Sequence, residues 1–526
     1  MHRRSLLAGA ATAAAGLAAP RLSRAAEASV IRFVPQANLT SLDPVWTTAV
    51  VSRNHGYMVY DTLYGLDEKL TPRPQMAEGH VVEDDGRRWT VTLRPGLKFH
   101  DNEPVRSIDC AASLKRWIAR DGLGQTLAER LDAIETPDDR RLVFRLKRPF
   151  PPLLMALGKA QQSQPVIMPQ RLAETDPFQQ VRDATGSGPF RFIPGEFVPG
   201  SFAAYEKFAG YVPRDEPVDM FAGGKRVEVD RVEWKIIPEA ATALAGLRTG
   251  EVDWVEMPLP DLLPTVARVR EVQVGQLEIW GLYPVLRFNS VQGPTEKQGV
   301  RRAIMAAIDT REVMTAIMGP DPAGWKAPVG TFAAGTPYAS NAGMEFMGPR
   351  PKEEVARLLG EAGYDGGRVV MLHPTDQPFY NGMSEVCAAA IRKAGINLDD
   401  QSMDWGTVVQ RRAKKEPLDQ GGWSLFATSF PALDYLNPLT APALRGNGKA
   451  WYGWPVNEAI ERMREEWMDA TDEGERKRLA AGIQKAALEA ALYVPLGQYT
   501  PAAAWRKSLT GLLRGPGPMF WNVRKA

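Results

Sequence analysis

The sequence predicts an α/β protein assembled from more than one compact unit, and three observations carry that expectation. At 526 residues the chain exceeds what one hydrophobic core ordinarily organises. Its early runs alternate apolar and polar residues with the period of two of a half-buried strand, and from Val229 onward strands alternate with helical patterns, the grammar of parallel pairing. A composition of 44% hydrophobic and 24% charged residues excludes a disordered or fibrous chain.

Residues 1–28, MHRRSLLAGAATAAAGLAAPRLSRAAEA, join Arg3 and Arg4 to an Ala/Leu-rich stretch and a small-residue site at Ala26-Glu27-Ala28, the three parts of an export signal. The paired arginines resemble a twin-arginine signal, but the usual aromatic and lysine are absent, which leaves Sec export open. No later run reaches ~18 uncharged apolar residues, so the mature chain is expected to be soluble and periplasmic. Removing 1–28 takes away four arginines against one glutamate and moves the formal charge from +2 to −1. That balance offers no basic field for nucleic acid or anionic lipid.

Downstream, RRWTVTL places Trp89, Val91 and Leu93 on one face, and RLVFRLK repeats the pattern with Leu142, Phe144 and Leu146. Each run follows an Asp-Asp pair and stops at a proline, which predicts an antiparallel α+β subdomain with one inserted helix, SIDCAASLKRW. The only cysteines, Cys110 and Cys387, both fall in helical apolar patterns, so two buried free thiols are expected rather than a disulfide.

RVEWKII, the helix EAATALAGLRTG stopping at Gly250, and EVDWVEM form a βαβ unit. A helical stretch follows, with Thr295 and Gln298 as a capping box and Val300, Ile304, Ala307 and Ile308 on one face. A second helix, after Pro351, turns Val355, Leu358 and Leu359 inward and stops at Gly363. A second α/β series comprises GRVVMLH, a helix ending at Gly395, INLDDQSMD, the helix WGTVVQRRAKKE and the strand GWSLFAT. Helices near 457–469 and 473–492 lead to the extended run YVPLGQYTPAAAW, predicted to return to the first unit.

Chemistry-bearing motifs are sparse. His55, His80, His100 and His373 lie outside helical reach of one another and neither cysteine has a CxxC partner, so zinc spacing is missing and no metal or cofactor is expected. GSG at 186–188 lacks the outer glycines of a nucleophile elbow, and neither Gly224-Lys225 nor Gly448-Lys449 is followed by Ser or Thr as a P-loop requires. A glycosidase needs only two placed carboxylates, so a periplasmic hydrolase stands as an alternative to a binding protein, as does a sensory or chaperone-like module. Ligands of open α/β sheets bind beyond the carboxyl ends of strands. Trp405 follows INLDDQSMD and Phe426 to Phe430 ends GWSLFAT; either aromatic cluster alone reads equally well as core, but two neighbouring strand ends of one character point to a pocket.

PRPQMAEGHVVEDDGRRWTVTLRPGLKFHDNEPVRSIDCAASLKRW, TGSGPFRF, LRTGEVDWVE, LRFNSVQGPTEKQGVRRAIMAAIDTREV, PKEEVARLLGEAGYDGG and AGINLDDQSMDWGTVVQRR together resemble the family 5 extracytoplasmic solute-binding proteins of ABC importers, the oligopeptide, dipeptide and nickel class. The resemblance spans essentially the whole mature chain. It implies a two-lobed Venus-flytrap fold of mixed sheets with helices on both faces, an extra antiparallel subdomain at about 55–185, lobe I at 29–280 and 490–526, and lobe II at 281–489. It further implies a monomer that encloses a peptide or small molecule by hinge closure and presents it to a membrane permease, without catalysis. Peptide-binding members carry a tryptophan followed three residues later by an aspartate that holds the ligand's amine. Trp423 matches the tryptophan, Phe426 occupies the aspartate's place, and Gln420 stands where some members have an arginine. Trp405 matches a second chamber aromatic. The resemblance therefore implies a ligand without a free cationic amine, or one whose amine is met elsewhere, with Asp434 the nearest carboxylate. Asn289 and the backbone at Ala37, Asn38 and Leu39 are the remaining expected contacts.

Overall fold

The computed structural model describes residues 29–449, 451–470 and 472–526; the export signal expected at 1–28 lies outside them. Two seven-stranded sheets dominate. The first runs, edge to edge, through Phe190–Phe192, Phe202–Lys207, Arg231–Lys235, Val30–Val34, Trp254–Val255, Ala503–Arg506 and Val272–Gly275. Strands from RVEWKII and EVDWVEM are parallel, but through a third strand: Val30–Val34 lies between them and pairs with both. The intervening helix Ala240–Thr249 ends at Gly250, whose φ of +87° is a left-handed stop that a side chain would resist.

The second sheet contains Leu282–Phe288, Leu425–Pro431, Val369–Pro374 and Leu398–Met403 in that order, with Tyr493–Pro495, Gln498–Tyr499 and Trp325–Lys326 beyond Leu282–Phe288. Val369–Pro374 is parallel to both of its neighbours. All seven residues of Leu425–Pro431 are buried, as expected of a strand covered on both faces. It starts at Leu425 rather than Gly422, because Gly421 (φ +91°) closes a preceding turn. The chain passes between the sheets twice, once between Gly275 and Leu282 and once between Tyr499 and Ala503. The return to the first sheet therefore comes later than 490. Tyr493–Tyr499 and Ala503–Arg506 belong to one extended run, and their partners in the two sheets tell them apart.

A separate four-stranded antiparallel sheet runs through Ala77–Glu83, Arg88–Leu93, Arg141–Leu146 and Leu131–Glu135. Trp89, Val91 and Leu93 are its buried face. Two helices are inserted instead of one, Ser107–Arg120 and Gly122–Arg130. The break falls at Asp121, whose carboxylate accepts from the backbone N–H of Leu123 and Gly124 and so caps the second helix. Both cysteines are free and buried in helices.

The Thr295–Gln298 capping box does not form. Thr295 donates to the carbonyl of Ser424 and Gln298 to that of Glu489, tertiary partners that outcompete the local bond. The helix starts at Gln298, and Val300, Ile304 and Ile308 are fully buried as its spacing requires.

The two halves touch across several polar contacts. Arg130 reaches Glu465 and Asp469, each at 2.9 Å, and Arg148 adds a 2.6 Å bond to Glu465. Arg445 donates to the carbonyl of Gly122 and to Thr126.

Candidate functional site

Three segments of the first half and three of the second face one another between the sheets. From the first half come the loop after Val30–Val34, the helix Val50–Val59 and the segment Lys159–Gln164. The second half supplies the carboxyl end of Val369–Pro374 with its helix Pro378–Lys393, the helix that begins at Trp405, and the stretch after Leu425–Pro431.

Trp405 opens its helix and is nearly buried. Its backbone N–H donates to Asp376 at 2.7 Å and its ring centre lies 4.7 Å from that of Tyr380. Arg412, two turns further on, is held among Tyr452, Trp405 and Phe426 at 4.8, 5.3 and 5.9 Å from their ring centres. It donates to the hydroxyl of Thr48 across the interface. Such a stack holds a guanidinium in an apolar setting by the electrostatics of ring faces.

Phe426 and Phe430 point to one side of their strand, and both meet Trp451, at 5.9 and 5.0 Å. Trp423 packs edge-on against Phe426 at 5.0 Å and near Trp454. Asn289 is a structural tie. Its amide donates to the carbonyl of Trp423 at 2.9 Å, and its oxygen accepts from the N–H of Val291. Ala37 and Asn38 line a cavity of about 210 Å³ together with Asp376–Tyr380. The Asn38 side chain accepts from the N–H of Gly200, whereas Leu39 is packed in the core.

Asp434 sits in the short turn Ala432–Tyr435. Its exposure is 0%, and neither carboxylate oxygen has a hydrogen-bond partner. Burial pushes its pKa up to about 8, against the pull of Lys159 and Arg53. Lys159 itself is committed, donating to Asp121 and to the carbonyl of Gln162, both at 2.5 Å. Gln162, in the same wall, has both ends of its amide unpartnered.

Sequence reasoning missed a charged group beside the crossover segments. Arg53 stands in a helix buried from Val51 to Val59, so its charge has no route to solvent. It donates to Asn54 and to the carbonyl of Pro516, while Nη1 has no partner. Beside it, Glu256 accepts from the N–H of Gln36 and from Asn54, and Glu278 accepts from the N–H of Trp280 and Gly281 on the first crossover. Burial raises both glutamates to about 7. These three residues line a cavity of about 50 Å³ with Tyr380 and both crossovers. A polar Ser-Arg-Asn-His run inside the apolar pattern VVSRNHGYMV was the available signal. Among the described residues no three His, Cys, Asp or Glu side chains are gathered to hold a metal ion.

Residues 71–447 match the bacterial extracellular solute-binding proteins, family 5 (middle). The chain is 38% identical, over the full length of both, to a probable peptide ABC transporter periplasmic-binding protein of Sinorhizobium fredii. It is 26% identical to the glutathione-binding protein of Salmonella typhi over 92% of each chain. A solved structure of similar fold is the periplasmic binding protein AgaA of A. tumefacien R10 in complex with agropinic acid: TM-score 0.78, 22% identity, 94% of this chain and 99% of that one. With a match over most of its length and a full-length relative at this identity, the chain belongs to the bacterial extracellular solute-binding proteins of family 5.

Proposed function

We propose that this protein is the periplasmic capture component of an ABC importer, enclosing a peptide or peptide-like small molecule between its two halves and delivering it to a membrane permease. The observation that carries the reading is the Asp434 carboxylate, wholly buried between the halves with both oxygens unpartnered. A group so placed costs free energy unless a partner arrives, and a ligand amine is such a partner. The relative from Sinorhizobium fredii named for peptide transport supports the ligand class. Asp434 meets the amine in place of the residue at Phe426. Trp405, Trp423 and Phe426 form the apolar wall, and Ala37 and Asn38 offer backbone at the mouth. Asn289 and Leu39 support the wall from behind.

The mechanism is a population shift: contacts from both halves exist together only when the halves are closed, so ligand favours that state. Native mass spectrometry of the purified mature protein is expected to show a retained small molecule. Small-angle scattering is expected to show compaction when that molecule is added back to stripped protein. Chemical alteration of the molecule during incubation would instead establish a hydrolase.

A further inference from the structure

The cavity of about 210 Å³ between the loop after Val30–Val34 and the start of the helix Pro378–Lys393 carries a polar lining of its own. Three side-chain amides, Gln36, Asn38 and Gln377, stand there with the Asp376 carboxyl group and the Tyr380 phenol, and no lysine, arginine or histidine is among the described residues around it. Gln377 is 8% exposed and occupies the N-cap without making a capping bond, and its amide has no partner among the described residues. A buried amide in that state costs free energy until an occupant supplies it with both a donor and an acceptor. Gln36 is fixed by its backbone N–H, which donates to Glu256, while its amide likewise has no described partner. Asn38 engages its oxygen with the N–H of Gly200, which leaves its NH2 group as a donor. The helix opens on a proline, and the backbone N–H groups of Phe379 and Tyr380 have no described acceptor.

Charge of either sign fits this lining poorly. A helix start favours an anion, but Asp376 adjoins it and no cation lines the cavity to pair with a buried carboxylate. A ligand cation would meet the positive end of the helix, and Asp376 is a weak partner for it, with one oxygen already taken by the Trp405 N–H and its pKa raised by burial. A hydroxyl donates and accepts at one atom. A run of hydroxyls therefore meets the amide NH2 and backbone N–H groups with its oxygens, and the amide and carboxyl oxygens with its hydrogens. Val34, Ile237, Met257 and Leu259 give apolar surface for the carbon side of such a chain. The volume suits one end of a ligand, since pockets for whole drug-sized molecules run from roughly 300 Å³ upward. Gln36, Met257 and Tyr380 also line the smaller cavity beside the crossovers, so the two spaces adjoin.

Resting on the solute-binding reading, we propose that this cavity is a subsite for an uncharged polyhydroxyl group, the sugar or sugar-alcohol portion of the captured molecule, read by Gln36, Asn38 and Gln377.

The test is saturation-transfer NMR and calorimetry on the mature protein stripped of bound material, with sorbitol, glucose, acetate and ethylamine as probes. Sorbitol or glucose is expected to bind saturably and at least about tenfold more tightly than acetate or ethylamine; the better of the two tells an open chain from a ring. Gln377→Leu and Gln36→Leu are each expected to weaken that binding about three- to tenfold, the scale of one hydrogen bond, without lowering Tm, because neither amide is partnered in the fold. Gln377→Arg is expected to reverse the order and bring acetate above both polyols. Saturable binding of neither polyol would leave only water for these amides and overturns the proposal. So does tighter binding of acetate or ethylamine by the unaltered protein, or polyol binding that neither leucine variant changes. A retained molecule that carries no hydroxylated carbons by exact mass, yet compacts the protein, would remove the subsite and leave the importer reading standing, whereas absence of compaction with any retained molecule would take down both.

Discussion

Asp434 makes the empty protein sensitive to pH in a direction opposite to that of ordinary surface carboxylates. Its folded pKa, about 8, lies above the unfolded value of 3.8, and Glu256 and Glu278, at about 7 against 4.5, behave alike. Between those limits the folded state holds protons that the unfolded state has released, so stability falls as pH rises. Buried His55 and His100, lowered to about 3 and about 4 by desolvation, contribute the opposite slope, but only up to their unfolded value of 6.5. The carboxyl effect is therefore unopposed by these histidines from about 6.5 to about 8. Thermal melts of ligand-free protein are expected to show Tm declining across that window, and Asp434→Asn to flatten the decline. A rising Tm there would contradict the assigned burial. Phe426→Asp places a carboxylate near Arg412, whose guanidinium lies 5.9 Å from the Phe426 ring centre, and calorimetry is expected to show stronger binding of free-amine peptides to this variant, with the melting curve checking that it folds.

Among the elements, legibility followed periodicity. The strand at Trp89, the face of the helix at Val300 and the stop at Gly250 were all readable, since each is fixed by neighbours within a turn or a pleat. The insertion of Val30–Val34 between two strands some two hundred residues downstream was not, because pairing partners leave no local trace. The capping box failed for the same reason, with distant carbonyls taking both side chains. For the proposed site, Trp405, Trp423, Phe426 and Asp434 were singled out through a family pattern and its departure at one position. Arg53, Glu256 and Glu278 were hidden, because their environment comes from three separate segments. Asp121 joins the two scales, capping a helix and pairing with Lys159. Asp121→Ala is expected to cost about 3–5 kcal/mol, mostly from stranding a buried ammonium. Urea unfolding would measure it, and a loss near the ~1 kcal/mol of a cap alone would show Lys159 finding another partner.

At the scale of the molecule, closure has its own fastening away from the chamber. The Arg130 guanidinium, 1% exposed, bridges to the carboxylates of Glu465 and Asp469 on the other half, which are partly exposed. Removing Arg130 leaves those carboxylates in contact with water, so each half should keep its stability while the closed arrangement loses support. Arg130→Ala is expected to weaken ligand affinity by about three- to tenfold, the modest value of part-exposed ion pairs. Scattering should show a more open average without ligand. Unchanged affinity and unchanged dimensions would mean that closure does not depend on this clasp.

The position of Ala503–Arg506 between Trp254–Val255 and Val272–Gly275 has a consequence for biogenesis. A polypeptide that emerges amino end first cannot complete this sheet until Ala503–Arg506 has arrived, and until then Trp254–Val255 and Val272–Gly275 wait with bare edges. Lys525, bonded to the carbonyl of Val30 and to Asp253, closes that circuit from tail to head. Shortening the tail would therefore damage the oldest part of the nascent chain first.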